Sequence, residues 1–172
     1  MERDYDEVST EEILARSGVS RGALYHHFPS KLALFRAVFE ASERRAIERV
    51  AAEAAGAETP FEFLLASARA YLRQAETNEE MRRIGLMQSR AVLGWEGWRE
   101  AATELGVGVA LALVSAAIAA GELPPRDPEA MALVVLGALI EAATLIAAAP
   151  DRAVARERAE PVVFDLLEGL RR

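Results

Sequence analysis

The stretch from Ser9 to Lys31, STEEILARSGVSRGALYHHFPSK, constrains the fold of this chain more than any other. It reads as a helix-turn-helix followed by the start of a third helix. Ser9 with Glu12 three residues later forms a capping box, so a helix starts there and runs through Ile13 and Leu14 toward Ser17. Gly18 takes the left-handed conformation that ends a helix at low cost, and Val19 is expected to fill the inside of the turn. Ser20 caps a second helix from Arg21 to Phe28. Pro29 ends it, because the residue before a proline disfavours the helical region, and Ser30 caps a third helix from Lys31.

The second helix has the chemistry of a groove reader. Leu24 and Phe28, four residues apart, share one face and point to a core. Gly22, Tyr25 and His26 lie on the outer arc. Arg21 stands in the first turn, where its fork can grip guanine O6 and N7. Gly22 lets the backbone approach DNA closely, and Tyr25 offers a ring to a thymine methyl and a hydroxyl to a phosphate. Thr10 and Lys31 each open a helix, where free N–H groups and the helix dipole favour a phosphate. A helical hairpin with no DNA role shares the caps and the spacing, but not the outer face of Arg21, Tyr25, His26, His27 and Lys31.

The run TEEILARSGVSRGALYHHFPSKLALF resembles the signature of the tetracycline-repressor (TetR/AcrR) family of transcriptional regulators. The resemblance covers about the first quarter of the chain and is dense. It implies that Thr10, Tyr25, His26, His27 and Lys31 meet phosphates, and that Arg21, Gly22, Ala23 and Tyr25 face bases. It implies a homodimer on a double-stranded DNA operator, released as a repressor by a small-molecule effector, in the cytoplasm. The stretches AVLGWEGWRE (Ala91 to Glu100) and GALIEAA (Gly137 to Ala143) are similar, more weakly, to one branch of the family's C-terminal domains. In the family a further helix precedes residues like YDEVST. The expectation is therefore that a longer form, with an amphipathic helix before Tyr5, binds DNA better.

Composition narrows the function classes. The 172 residues are 52% apolar and 27% charged, which excludes a disordered chain. There is no cysteine, hence no disulfide, thiolate metal site or cysteine nucleophile. Both histidines lie in the second helix, leaving none for a metal or catalytic site elsewhere. The net charge of −7 argues against a non-specific nucleic-acid coat. Residues 1–46 hold 7 of the basic and 8 of the acidic side chains, so that part is nearly neutral and the rest carries −6. From Leu14 to Ala37 every charge is basic: Arg16, Arg21, Lys31 and Arg36. So small a positive patch gives modest, salt-sensitive affinity per subunit, and specific binding needs two copies.

The remainder reads as helices. Met1 to Val8 is polar, with Tyr5 and Val8 as anchors. From Lys31 to about Ala55, an apolar stripe of Leu34, Phe35, Val38, Phe39, Ser42, Ala46 and Val50 predicts one long helix, with Glu43 among the charges decorating its other faces. Thr59 caps the next, with Pro60 in its first turn. Asn78 introduces a helix over Glu79 to Leu93, ended by Gly94. Another runs from Trp95 to about Ala120, where Gly106 and Gly108 mark close packing or a kink. After the loop GELPPRDP, Asp127 caps a nearly uncharged helix over Glu129 to Ala149. The last covers Arg152 to Leu170, with a kink expected at Pro161.

The fold class is all-α: a helix-turn-helix head over residues 1–46, joined by the long helix to a ligand-binding and dimerisation body over residues 47–172. Glu129 to Ala149 has the length of a membrane span, but Glu141 near its middle, abundant alanine and missing aromatic belts favour a buried helix at a subunit interface. Glu141 itself calls for a partner, an arginine across the dimer or a cationic ligand. Tyr71, Met87, Gln88, Trp95 and Trp98 are expected to border a largely apolar ligand cavity, with Ser67 and Arg90 as further polar candidates. Catalysis finds no constellation: no nucleophile triad, phosphate loop, dinucleotide fingerprint or metal spacing, and no cofactor is implied. The rival is a helical small-molecule-binding or interaction protein that does not read DNA.

Overall fold

The computed structural model describes residues 4–172, with side chains for all of them except Thr103 and Glu104. The described residues form helices and no strand. A single 3-10 turn, Tyr5–Glu7, leads into α1 (Thr10–Ser17), α2 (Arg21–His27) and α3 (Lys31–Ala54). Then come α4 (Pro60–Thr77), a π-helical segment (Met81–Gln88), α5 (Ser89–Ala102), a second π-helical segment (Thr103–Val107), α6 (Gly108–Ala119), α7 (Pro128–Ala148) and α8 (Arg152–Gly169).

The N-cap side chains read from the sequence bond as expected. Ser9, Ser20, Ser30, Thr59 and Asp127 each accept a backbone N–H three residues on, which satisfies a donor the helix leaves orphaned. Gly18 ends α1 with φ +68°. The head closes on Leu24, its one buried side chain in α1 and α2. Val19 does not fill the turn: it is exposed. Tyr5 does anchor the N-terminal turn, meeting Phe35 edge-to-face with ring centroids 5.2 Å apart.

The body packs α4, α6, α7 and α8 around Leu64, Leu72, Met81, Val114, Val135, Ile146 and Leu167. Although α7 is long and apolar enough to cross a membrane by composition, it lies within this core through Met131, Val135, Leu139 and Ile146. Arg156 bridges Glu76 at 2.5 Å and Glu160 at 2.6 Å, and Arg69 meets Glu160 at 3.1 Å, so ion pairs tie α4 to α8. The α8 helix continues through Pro161.

A second, smaller core joins head to body. Phe39 of α3 meets Trp98 and Ala101 of α5, flanked by Phe35, Ile84, Leu93 and Ile140. Beside it, Arg36 bridges Glu40 within α3 and Glu100 on α5, both at 3.0 Å. The proposed boundary at residue 46 thus falls inside a continuous helix whose residue Ala46 belongs to the main core.

Two departures from α geometry reshape the middle of the chain. The expected α-helix over Glu79 to Leu93 is π-helical from Met81 to Gln88, and the expected Trp95-to-Ala120 helix is interrupted by the second π segment. Wider π turns shift every later side chain around the axis relative to a 3.6-residue reading. Gly94, at φ +71° and ψ 169°, breaks the helix outright. Gly106 is a close-packing position, since a Cβ there would stand 3.3 Å from Leu136 Cδ2. Nothing crowds Gly108.

Candidate nucleic-acid interface and effector cavity

The outer face of the head carries the residues expected to meet DNA. Arg21, Gly22, Ala23, Tyr25, His26 and His27 are all exposed on α2, while Thr10 and Lys31, at the openings of α1 and α3, are partly covered. Two cations on this face already have partners. Arg21 donates to Glu11 Oε1 at 2.6 Å, with both side chains mostly exposed. The Glu11 carboxyl is held below the usual range by hydrogen bonding to its own backbone and to Arg21. An ion pair this exposed is weak and exchanges readily, so a base or phosphate can displace Glu11. Lys31 donates to the Tyr5 carbonyl at 2.5 Å and lies 3.9 Å over the Tyr5 ring. That contact sets the ammonium at the mouth of an open groove of about 610 Å³ between head and body, bordered by Tyr5, Ile13, Phe35, Ile84 and Gln88.

The five residues expected to border one ligand cavity do not converge. Tyr71 alone faces the apolar cavity of the body. Met87 and Trp95 point outward, 50% and 62% exposed. Trp98 is buried in the head–body core under the Arg90 guanidinium, 4.4 Å from its ring. Gln88 donates to Asp4 Oδ1 at 3.1 Å and borders the head–body groove. The cause is the backbone: π geometry over Met81–Gln88 and the break at Gly94 rotate these side chains off the α-helical face the sequence suggests.

The cavity that does form has a volume of about 120 Å³ and lies between α3, α4, α6 and α7. Its walls are aliphatic, including Ile47, Leu64, Leu113 and Leu139, with Phe63 as a further ring. Its polar lining is Glu43, Ser67 and Tyr71. The charge pattern of α3 suggests a solvated face for Glu43, and the structure places it in the cavity wall instead. The signal was present all the same: Glu43 is four residues after Phe39 and three before Ala46, on the buried stripe. Burial pushes its carboxyl up to about 7. Burial also pushes the Tyr71 hydroxyl up, the Glu43 charge adding to it and Arg90 opposing. Glu141, expected to be a buried acid, is exposed on α7 and stands 4.0 Å from Arg90 of its own chain. No group of three or more His, Cys, Asp or Glu side chains suited to a metal occurs among the described residues.

A helix-turn-helix with an open outer face, joined through α3 to a helical body with an apolar cavity, is the architecture of a DNA-binding regulator. Residues 1–38 match the family model for bacterial regulatory proteins of the tetR family, and residues 61–170 match the tetracyclin repressor-like C-terminal domain. A TetR-family transcriptional regulator from Pectobacterium atrosepticum is 34% identical, with a TM-score of 0.81 over 96% of this chain and 84% of its own. The fatty acid degradation regulator FadR from Bacillus halodurans superposes with a TM-score of 0.73 at 16% identity, over 96% of this chain and 90% of its own. RolR in complex with resorcinol does so with 0.69 at 17%, over 96% and 83%. A search of curated proteins finds no match. The chain belongs to the TetR family of transcriptional regulators, DNA-binding proteins that act as dimers with small-molecule effectors.

Proposed function

We propose that this chain is a homodimeric, cytoplasmic repressor that leaves its operator when a small, mainly apolar effector enters the cavity of the body. The observation that carries the reading is shared structure. Helix α3 follows the recognition helix directly and also forms one wall of the cavity through Glu43, Ile47 and Val50. Ile140 and Ala102 line the cavity and also pack on the Phe39–Trp98 core that holds head to body. A ligand that moves these side chains moves α3 as a lever and changes the spacing of two heads, which must match major grooves about 34–36 Å apart. In this reading Thr10, His26, His27 and Lys31 hold phosphates, Arg21, Gly22 and Ala23 face bases, and Tyr25 serves both. RolR, seen with resorcinol, is a fold relative with a small ligand.

Dimerisation is assigned to α7 and α8. Leu133, Val134 and Leu145 of α7 and Val162 and Leu166 of α8 are exposed apolar side chains on adjacent helices, a surface that pairing with a symmetry mate covers. No catalytic role is assigned. Selection of bound sequences from a random duplex pool, followed by titration of the selected duplex at several salt concentrations, tests the reading. A dimer binding one palindromic site supports it. Absence of any selected sequence refutes it and leaves a ligand-binding protein that does not read DNA.

A further inference from the structure

The body cavity encloses three polar side chains that have no partner. The Ser67 hydroxyl is buried and makes no hydrogen bond. Among the described residues, neither the Glu43 carboxyl nor the Tyr71 hydroxyl has a hydrogen bond or an ion pair. Ser67 and Tyr71 stand one turn apart on α4, and Glu43 faces them from α3. The π-helical segment packs closely on this acid: a Cβ on Gly85 would come within 2.7 Å of Glu43 Oε1, so a larger residue there would make the carboxyl shift. The Arg90 guanidinium, close enough to act on Tyr71, is stacked on Trp98 and faces Glu141.

From this cluster we infer that the effector is a compact lipophilic amine, bound as its ammonium ion with Glu43 as counter-ion and Ser67 and Tyr71 as neighbouring acceptors. A carboxylate enclosed by aliphatic walls is costly until it is paired. A primary ammonium carries three donors, and the cluster offers four oxygens on three side chains to receive them. An anionic ligand meets repulsion from Glu43. A neutral hydrocarbon leaves all three polar groups unpaired, and an alcohol supplies one donor and no charge. The carboxyl, held up to about 7 by burial alone, gains most from an incoming cation because no protein cation offsets it. The volume limits the rest of the molecule: about 120 Å³ is somewhat less than the roughly 150 Å³ engineered cavity that accepts benzene. One ring or a short alkyl chain fits.

This inference rests on reading the cavity as the effector site, and the test separates the two. Isothermal titration of the purified chain at pH 8 compares n-butylamine with its neutral analogue 1-butanol, on the wild type and on Glu43→Gln. The amine is expected to bind the wild type roughly 10- to 100-fold more tightly than the alcohol, the range set by a hydrogen-bonded charge. Glu43→Gln should remove that advantage, bringing the amine's affinity down to the alcohol's. Equal affinity of amine and alcohol for the wild type, or amine binding indifferent to Glu43→Gln, overturns the inference. If Glu43→Gln fails to fold, the wild-type comparison decides alone. Amine binding that depends on Glu43 yet leaves the operator complex intact supports the ligand class and overturns the repressor-release reading instead.

Discussion

Glu43 makes the stability of the unliganded protein fall with rising pH, and Glu43→Gln should abolish that fall. In the unfolded chain the carboxyl titrates near 4.5, and in the fold burial raises it to about 7. The folded state therefore holds the proton more tightly than the unfolded state. Stability is highest below pH 4.5 as far as this group is concerned, declines as pH climbs through 4.5 to 7, and is flat above. At about 1.4 kcal/mol per pH unit, the full span amounts to roughly 3 kcal/mol. The groups facing Glu43 do not cancel it: Tyr71 from α4 stays protonated throughout, and the α6 and α7 walls are apolar. Other carboxyls, Glu11 and Glu122 among them, are lowered by hydrogen bonds and slope the opposite way, so the informative quantity is the difference between variant and wild type. Urea unfolding followed by circular dichroism, at pH 5, 6, 7 and 8 and one protein concentration, gives that difference. The two proteins should be close at pH 5, and Glu43→Gln should be more stable by about 2–3 kcal/mol at pH 8. Parallel curves, with a difference that does not grow between pH 5 and 8, would refute the claim that this carboxyl is enclosed without a partner.

The same structure sets further expectations. Arg21→Ala should cost roughly 1–3 kcal/mol of operator binding and relax preference at one base position, read from binding to a panel of single-base variants. Lys31→Ala should weaken all duplexes alike and lower the salt slope by about one; equal loss of specificity in both would refute this division of roles. Trp98→Ala should destabilise the chain by about 3–5 kcal/mol, whereas Trp95→Ala, outside the packed core, should change it by about 1 kcal/mol or less. Urea midpoints distinguish them. Val134→Lys combined with Val162→Lys should convert the dimer to a folded monomer by light scattering, and an unchanged dimer would move the interface away from α7 and α8.

Local chemistry wrote the head and the helix order into the sequence. Ser9, Ser20, Ser30, Thr59 and Asp127 cap helices by bonding backbone three residues away, and Gly18 turns the chain by a conformation other residues avoid. Such interactions need no distant partner, so they are visible in one dimension. The exposed face of α2 is equally local, following from Leu24 pointing inward and a period of 3.6. The cavity was decided elsewhere. Which of Tyr71, Met87, Gln88, Trp95 and Trp98 meet depends on π-helical turns over Met81–Gln88 and on the break at Gly94, which shift the register of all that follows. Glu43 is the same residue type as Glu40, which pairs with Arg36 and Arg44, and as the exposed Glu48, and it becomes a site only because α4, α6 and α7 close around it. Burial of a charge is a property of what surrounds it, and the surroundings come from segments distant in sequence and set by packing.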